Sequence, residues 1–373
     1  MLAQGALMKV TVSKNNITSL INKIQNIIPA KPSIPVLVNV LLEAIDGKLI
    51  ISATNLALSI TASIDAHVSE EGKVALPSKK LFALIRELTA PELEIDSKDS
   101  HTATLRSGTS SFKILGMPGE NFPKIPEFSE GEEVLFSASL LKDLLCKTSF
   151  AVGKDETRPI FSTVLLQRQN NLTTFTGTDG KRLARAYTDA PAPATWNGSF
   201  ILPHKAVEEM IRLLDDKEEN IYLRFSDDRI FMQVGSITLV SQLILGNYPD
   251  VSRIIPEGTD TPIALHKEEL ISLLRQVSLF TTQERASVRF TFSEGLLQLS
   301  TSSGEIGESD VRMPVNYTGD RMDIAFNPTY FLDILRHSKD ETISLSIKDP
   351  YDPGLVTDSS KALFVIMPMR LEN

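Results

Sequence analysis

Val10-Thr11-Val12-Ser13 is the stretch that decides the fold, because three β-branched residues end at a serine and an apolar-periodic segment over 17–28 follows at once. This strand-to-helix half-unit recurs at Val134-Leu135-Phe136-Ser137 and again at Ile263-Ala264-Leu265-His266. The spacing is roughly 125 residues, the size of a whole domain and far longer than a solenoid repeat. The sequence therefore predicts three tandem copies of one domain.

Each copy is itself duplicated, because a second strand-to-helix half-unit lies between the first ones. It reads Val74-Ala75-Leu76-Pro77, Phe200-Ile201-Leu202-Pro203 and Ile324-Ala325-Phe326-Asn327. We expect two helices and about eight strands in each copy, with antiparallel sheets and the helices on one face, which is an α+β architecture. Ser13, Ser137 and Asn327 are the expected helix N-caps.

The boundaries between copies are expected where proline, glycine and acidic residues cluster, in Pro118–Glu133 and Pro249–Pro262. We predict an N-terminal extension over 1–7 and domains over 8–130, 131–257 and 258–373. Met8 opens the first strand, so whether Met1 or Met8 is the native start stays open.

Composition indicates a protein of the cytoplasm without a membrane segment. The chain has 373 residues, 42% of them hydrophobic, which is ample for three cores. No run approaches the roughly 18 apolar residues that a membrane helix needs. The single cysteine, Cys146, excludes an internal disulfide framework and is typical of a reducing compartment.

The net charge of −9 argues at first against a nucleic-acid partner. The distribution of the charges changes this conclusion, because basic residues outnumber acidic ones on the six repeated helices taken together. If the helices share one face of the assembly, that surface is basic on an acidic body. The helices of the last three half-units are close to neutral, which weakens the pattern there.

No motif in the sequence indicates catalysis or metal binding. The chain contains no phosphate-binding loop, no dinucleotide fingerprint and no zinc-protease or serine-hydrolase motif. The five histidines are scattered without metal-ligand spacing. We therefore predict a protein that is not an enzyme, with no catalytic residues, no metal and no cofactor.

Two segments carry more specific detail than a core requires: Thr178-Asp179-Gly180-Lys181-Arg182-Leu183-Ala184 and the C-terminal Met367-Pro368-Met369-Arg370-Leu371. Together with Phe326-Asn327-Pro328-Thr329-Tyr330-Phe331-Leu332-Asp333, they resemble the bacterial sliding clamp, the β subunit of DNA polymerase III. The resemblance covers the chain from Met8 onward.

The resemblance implies a ring made of two chains joined head to tail, with twelve helices around the hole and the sheets outside. A ring of this kind is a processivity factor that encircles duplex DNA. It tethers the DNA polymerase III catalytic subunit, the clamp loader and other clamp-motif proteins, and it is itself non-catalytic.

The basic helices would then face the DNA and contact phosphates without reading sequence. The residues expected to supply this lining are Lys31, Lys79, Lys80, Lys142, Lys147, Lys205 and Arg212.

The resemblance also implies a pocket for short peptides that contain Gln and Leu or Phe. The matching positions are Arg158, Phe161, Thr178, Gly180, Lys181, Arg182, Leu183, Pro249, Arg253, Ile254, Tyr330, Val365, Met367, Pro368, Met369 and Arg370. The chain departs from the family pattern at Lys181, where histidine is common, at 159–161 and in the residues after Leu371. Peptide preference is therefore expected to differ.

For the subunit interface, the resemblance implies that Phe112 and Ile114 of one chain meet Leu279 and Phe280 of the other, through edge strands. The alternative function is a ring-shaped interaction scaffold that does not enclose DNA. An overlooked hydrolase or nucleotidyl transferase is a third reading, without a residue cluster to support it.

Overall fold

The computed structural model describes residues 8–32, 34–99, 101–128, 133–153, 157–169, 171–190, 197–214, 220–257, 261–282 and 286–370. The predicted extension over 1–7 lies outside these residues. Grouped by internal contacts, the chain forms two compact units, Met1–Leu141 with Glu208–Leu243 and Lys142–Val207 with Ile244–Asn373.

Six α-helices occur in the described part of the chain, as the repeats predict. They are α1 (Lys14–Ile24), α2 (Ser78–Glu87), α3 (Ala138–Ser149), α4 (His204–Leu213), α5 (Lys267–Ser278) and α6 (Pro328–His337). Of the three predicted caps, Asn327 accepts the Thr329 amide at 2.9 Å and Ser137 accepts the Leu140 amide at 3.3 Å. Ser13 precedes α1 without a side-chain cap.

The strands of the first half of the chain are β1 (Met8–Ser13), β2 (Asn39–Ile45), β3 (Lys48–Thr54), β4 (Leu58–Asp65), β5 (His67–Glu70), β6 (Gly72–Pro77), β7 (Glu92–Asp99), β8 (Thr102–Ser107), β9 (Ser110–Leu115), β10 (Met117–Pro118), β11 (Glu133–Ser137), β12 (Thr163–Gln169), β13 (Leu172–Thr178) and β14 (Arg182–Thr188). The remaining strands are β15 (Gly198–Pro203), β16 (Asn220–Phe225), β17 (Arg229–Val234), β18 (Ile237–Gln242), β19 (Ile263–His266), β20 (Val288–Ser293), β21 (Leu296–Ser303), β22 (Gly307–Pro314), β23 (Met322–Phe326), β24 (Thr342–Ser346), β25 (Gly354–Thr357) and β26 (Ala362–Ile366).

The first unit holds two antiparallel sheets, of order β5-β1-β7-β8-β9 and β10-β6-β2-β3-β4-β18-β17-β16-β11. The second unit holds two more, of order β15-β12-β13-β14-β26-β25-β24-β19 and β22-β21-β20-β23. The two large sheets repeat one arrangement: the strand that ends one copy pairs with the fourth strand of the preceding copy, as β18 with β4 and β26 with β14. The tandem repeat read from the sequence is therefore also a repeat of sheet topology.

Periodic apolar residues form the core. Met8, Val10 and Val12 alternate with half-buried neighbours in β1, and α1 buries a stripe at helical spacing, formed by Ile17, Leu20, Ile21 and Ile24. Helix α1 contacts α2 and β4, whereas α5 contacts α6, β21 and β22. Within the described residues, no helix has the length and apolar character that crossing a bilayer requires.

Candidate functional site

The turn between β13 and β14 is held in one conformation by its own side chains. The Asp179 carboxylate accepts the backbone N–H groups of Lys181 and Arg182 at 2.9 and 3.0 Å. The Thr178 hydroxyl donates to the Arg182 carbonyl at 2.6 Å and accepts the Gly180 amide at 3.1 Å. Gly180 has φ of +84°, a conformation that costs a residue with a Cβ atom about 1–2 kcal/mol. The turn is therefore a rigid feature of the surface.

Arg182 links this turn to the end of α3 and to the middle of α6. Its guanidinium donates to the Asp179 carboxylate at 3.1 Å, to the Asp333 carboxylate at 2.7 Å and to the Phe150 carbonyl at 2.8 Å. The guanidinium carbon lies 4.6 Å from the Tyr330 ring centre and 5.5 Å from that of Phe150. The Arg182 side chain is only 10% exposed. Because it has little contact with water, its charge is stabilised by the two carboxylates and the two aromatic rings.

Beside the turn lies an apolar floor. Leu183 on β14 is directly opposite Val365 on β26, and both are buried with Val251 and Leu355. Partly buried residues that pack against this cluster are Tyr248, Ile254, Ile255 and Leu363. The segment that follows β18 thus covers the seam between β14 and β26.

The C-terminal methionines lie at the surface on an anchored main chain. The Met367 amide donates to the Lys181 carbonyl at 3.0 Å, and the Met369 amide donates to the Ala325 carbonyl at 2.7 Å. Both methionines are 36% exposed. Flexible thioethers on a fixed backbone suit a surface that accepts more than one apolar group.

The predicted pocket residues differ in how far the structure brings them together. Phe161 lies against Gly180, with its ring 3.7 Å from the position of a Cβ atom there. Pro249 and Pro368 are half-buried, whereas Arg158, Arg253 and Arg370 are exposed. The central group joined by direct hydrogen bonds, packing or strand pairing is Phe161, Thr178, Gly180, Lys181, Arg182, Leu183, Ile254, Tyr330, Val365 and Met367.

Sequence reasoning missed four residues that build this site: Phe150, Asp179, Tyr248 and Asp333. Asp179 and Asp333 stand inside the family motifs quoted above, so their place in those motifs is the signal that could have identified them. Tyr248 was not signalled; its hydroxyl donates to the Thr176 carbonyl at 3.4 Å, and burial raises the pKa of its phenol. It is therefore a structural tyrosine of the floor and stays neutral.

Four of the predicted DNA-facing lysines are exposed: Lys31, Lys79, Lys80 and Lys205. Lys142 is half-buried on α3. The four exposed lysines are accessible from solvent, as phosphate contacts require.

Lys147 does not fit the predicted lining. It is only 4% exposed, and its ammonium lies 2.9 Å from the Asp143 carboxylate, which also pairs with Lys339 at 3.2 Å. It stands on the face of α3 that buries Leu144 and Thr148, so its charge is used inside the protein.

Arg212 is largely occupied as well. It donates to the Asn22 carbonyl at 3.0 Å, to the Lys23 carbonyl, and to the Glu209 carboxylate. Arg212 therefore joins α4 to the end of α1, and its guanidinium is less available to a phosphate than an exposed lysine is.

The predicted interface residues lie on or near sheet edges. Phe112 is 37% exposed on β9, the edge of the five-stranded sheet, but Ile114 on the same strand is buried at 7%. Leu279 is 76% exposed and Phe280 half-buried at the end of α5, which contacts the edge strand β22. Of the four predicted interface residues, Phe112 and Leu279 are thus the two that expose the most apolar surface.

The described residues hold no group of three or more His, Cys, Asp or Glu placed to bind a metal. Burial raises the pKa of the Cys146 thiol, so it is not an activated thiolate.

Three family models match in tandem: DNA polymerase III beta subunit, N-terminal domain over residues 8–126, central domain over 136–250 and C-terminal domain over 252–370. The Beta sliding clamp of Chlamydia muridarum is 43% identical over 367 residues, covering 98% of this chain and 100% of that protein. That of Haemophilus influenzae is 28% identical over 367 residues with the same coverage.

Solved structures agree. A sliding clamp from Bartonella birtlesii bound to griselimycin has a TM-score of 0.94 at 27% identity, covering 98% of this chain and 100% of that chain. A Pseudomonas aeruginosa clamp with ligand has a TM-score of 0.92 at 25% identity and the same coverage.

Proposed function

The chain belongs to the DNA polymerase III beta subunit family, the bacterial beta sliding clamps, and we propose which of its own residues hold DNA, partner peptides and the second subunit. The protein is a processivity factor that encircles duplex DNA and tethers the replicative polymerase and other partners. It is a non-catalytic subunit built of three tandem clamp domains.

We propose that the ring is closed by two chains, with the exposed Phe112 of one subunit packing near Leu279 and Phe280 of the other. The exposure of Phe112 and Leu279 supports this assignment, because large apolar side chains at a sheet edge and a helix end are stabilised by a partner surface. Ile114 would contribute from beneath, since it is already buried in its own sheet.

Domain limits and location follow as proposals. We place the three domains at 8–130, 131–257 and 258–373. The cytoplasm is the proposed location, because that is where bacterial chromosomal DNA is copied.

Partner peptides are proposed to lie over the floor made by Leu183 and Val365, beside Met367 and Met369. The observation that carries this proposal is that a buried apolar floor adjoins two exposed methionines whose main chain is hydrogen-bonded in place. Pockets of this kind bind through apolar anchors and a few polar groups. Lys181, exposed beside Met367, is a polar group that would touch the peptide.

DNA contact is proposed for Lys31, Lys79, Lys80, Lys142 and Lys205, with Arg212 in a secondary place and Lys147 excluded because it is buried. The exposed lysines carry this part of the proposal. Flexible ammonium groups attract the phosphates without fixing the ring at one position along the DNA, so the ring is free to slide.

Retention of loaded protein on nicked circular DNA tests this function. The wild-type ring should stay on circular DNA through salt washes and be lost when the DNA is linearised. Replacing Lys79, Lys80 and Lys205 by alanine should speed loss and reduce the salt slope by about one unit for each phosphate contact removed.

The matched control replaces three exposed lysines outside the helices, Lys48, Lys98 and Lys348, by alanine. This variant should be retained like the wild type. Equal retention of wild type on linear and circular DNA would favour the scaffold that does not enclose DNA.

A further inference from the structure

Each nitrogen of the Arg182 guanidinium, in the proposed pocket, donates a hydrogen bond to another group of the protein. The three directions of the Arg182 guanidinium lead to Asp179 at 3.1 Å, to Asp333 at 2.7 Å and to the Phe150 carbonyl at 2.8 Å. A planar fork bound in this way, and only 10% exposed, is set by its partners and does not turn toward a ligand without losing them. Its effect on a peptide must therefore pass through a neighbour.

That neighbour is Tyr330, whose ring centre lies 4.6 Å from the guanidinium carbon. Tyr330 stands in the first turn of α6, which begins at Pro328 after the Asn327 cap. The main chain of Met369 is hydrogen-bonded to Ala325, two residues before that cap. The first turn of α6 therefore starts next to the methionine segment, and the cation–π contact sets the orientation of a ring at its side.

Asp333 is the residue that aligns Arg182 with Tyr330. It lies three positions after Tyr330 and hence on the same face of α6. One carboxylate oxygen accepts Arg182, and the other accepts the half-exposed Arg336 at 3.0 Å. Helix α6 thus carries both the Asp333 carboxylate that binds Arg182 and the Tyr330 ring that Arg182 contacts.

A second aromatic ring also lies near the guanidinium. Phe150 lies 5.5 Å from the guanidinium carbon, and its ring is stacked on His337 with centres 4.2 Å apart. The His337 Nδ1 atom is 2.7 Å from the Asp333 carbonyl. The guanidinium therefore lies near two rings, Tyr330 on α6 and Phe150, which stacks on the last residue of α6.

We propose that Asp333 is a positioning residue for partner peptides: it holds Arg182 against Tyr330 and so fixes the Tyr330 wall of the pocket. The inference rests on the proposed peptide-binding function. Without the Asp333 charge, Arg182 keeps Asp179 and the Phe150 carbonyl but loses its partner on α6, the helix that carries Tyr330. The ring then loses its platform, while the apolar floor at Leu183 and Val365 is unchanged.

The experiment measures the affinity of a fluorescent short peptide containing Gln, Leu and Phe for the full-length protein. Asp333→Asn keeps the shape and removes the charge, and should weaken binding about tenfold, within the range for directly coupled residues. Arg336→Gln is the matched control on the same helix, because it removes only the exposed partner of Asp333; it should bind like wild type. Thermal melting and solution mass of Asp333→Asn should match those of the wild type.

A double-mutant cycle with Tyr330→Ala decides whether Asp333 acts through the ring. In the Tyr330→Ala background, Asp333→Asn should change affinity less than twofold. Wild-type affinity in Asp333→Asn, or a full tenfold loss in the Tyr330→Ala background, would overturn the inference. If Asp333→Asn melts early, Arg182→Lys takes its place, because an ammonium keeps the charge but cannot serve all three acceptors.

Failure of this inference is distinguishable from failure of the proposed site. If Met367→Ala with Met369→Ala abolishes binding while Asp333→Asn does not affect it, only the positioning role is lost. If the methionine variant binds as wild type does, the peptide lies elsewhere and the proposed site itself is wrong.

Discussion

Two junctions between strands of successive repeats have the same backbone arrangement but differ in their side chains. The first junction is the pairing of β4 with β18, and the second is the pairing of β14 with β26. At the first junction Asn55 accepts the amides of Ala57 and Leu58 at 3.1 and 2.8 Å, as Asp179 does for Lys181 and Arg182 at the second. Thr54 donates to the Leu58 carbonyl at 3.2 Å in the place of Thr178.

The correspondence extends to the strands on either side. The Gln242 amide donates to the Ala57 carbonyl at 2.8 Å, and the Met367 amide donates to the Lys181 carbonyl at 3.0 Å. Even the left-handed turn position is repeated, with Leu56 at φ of +79° where Gly180 has +84°. The tandem repeat therefore builds the same turn twice, and Gln242 is the counterpart of Met367.

The outer faces of the two junctions are different. At the second, Leu183, Leu363 and Val365 lie under a packed segment that contains Tyr248. At the first, Thr238 stands in the place of Leu363 and pairs with Thr61, and a cavity of about 970 Å³ is lined by both threonines and by the 119–128 segment. Leu183 and Val365 correspond there to Ser59 and Val240, which pair directly.

The segments that cross these faces are themselves related. Asn121-Phe122-Pro123 corresponds to Asn247-Tyr248-Pro249. Phe122 is buried against Val36, Leu37 and Ala75, so it is drawn toward β6 and away from the seam. A repeated backbone thus determines where a pocket can form, and the side chains determine whether the seam is packed, open or equipped with methionines.

The largest effect is expected from removing the methionines at the second junction. Met367→Ala with Met369→Ala should weaken peptide binding about hundredfold, because truncating central apolar contacts costs about 3 kcal/mol together. Fluorescence titration measures it. Gln242→Ala, the same change at the first junction, is the control and should leave affinity unchanged. Equal losses in both variants would mean that the two junctions are not functionally distinct.

A smaller effect is expected from exchanging the left-handed turn residues. Gly180→Leu should destabilise the protein by about 1–2 kcal/mol, because a Cβ atom is disfavoured at this φ, although the nearest Phe161 atom at 3.7 Å leaves room for it. Chemical denaturation measures the free energy of unfolding. The reverse change, Leu56→Gly, should stay within about 0.5 kcal/mol, since relief of strain is offset by the greater freedom of glycine in the unfolded chain. Equal stability of Gly180→Leu and wild type would contradict the argument.

The smallest effect is expected from giving the first junction a side chain of the second. Thr238→Leu, the counterpart of Leu363, should stabilise by about 0.5–1 kcal/mol because it buries apolar area in the cavity. The denaturation midpoint should rise, while the reverse change Leu363→Thr should lower it. A fall of the midpoint in Thr238→Leu would indicate that the cavity walls cannot take the added volume.

Local patterns predicted much of the fold. The alternation in β1 and the stripe in α1 involve residues close together along the chain, so the strand with Met8 and Val10 and the helix with Ile17 are predicted from the sequence alone. The family motifs predict that Thr178, Arg182 and Tyr330 belong to one site, and in the structure the three are joined by hydrogen bonding and ring contact.

The sequence by itself determined the repeats, the elements within them and the family, because periodicity and motifs depend on residues close in the chain. Only the tertiary structure decided which charges face solvent. Lys147 was predicted to face DNA, yet its side chain is buried with Asp143, and Arg182 is paired with Asp333, 151 positions away. Burial and charge pairing depend on partners that only folding brings together, and no local pattern reveals which of two lysines on a helix will be enclosed.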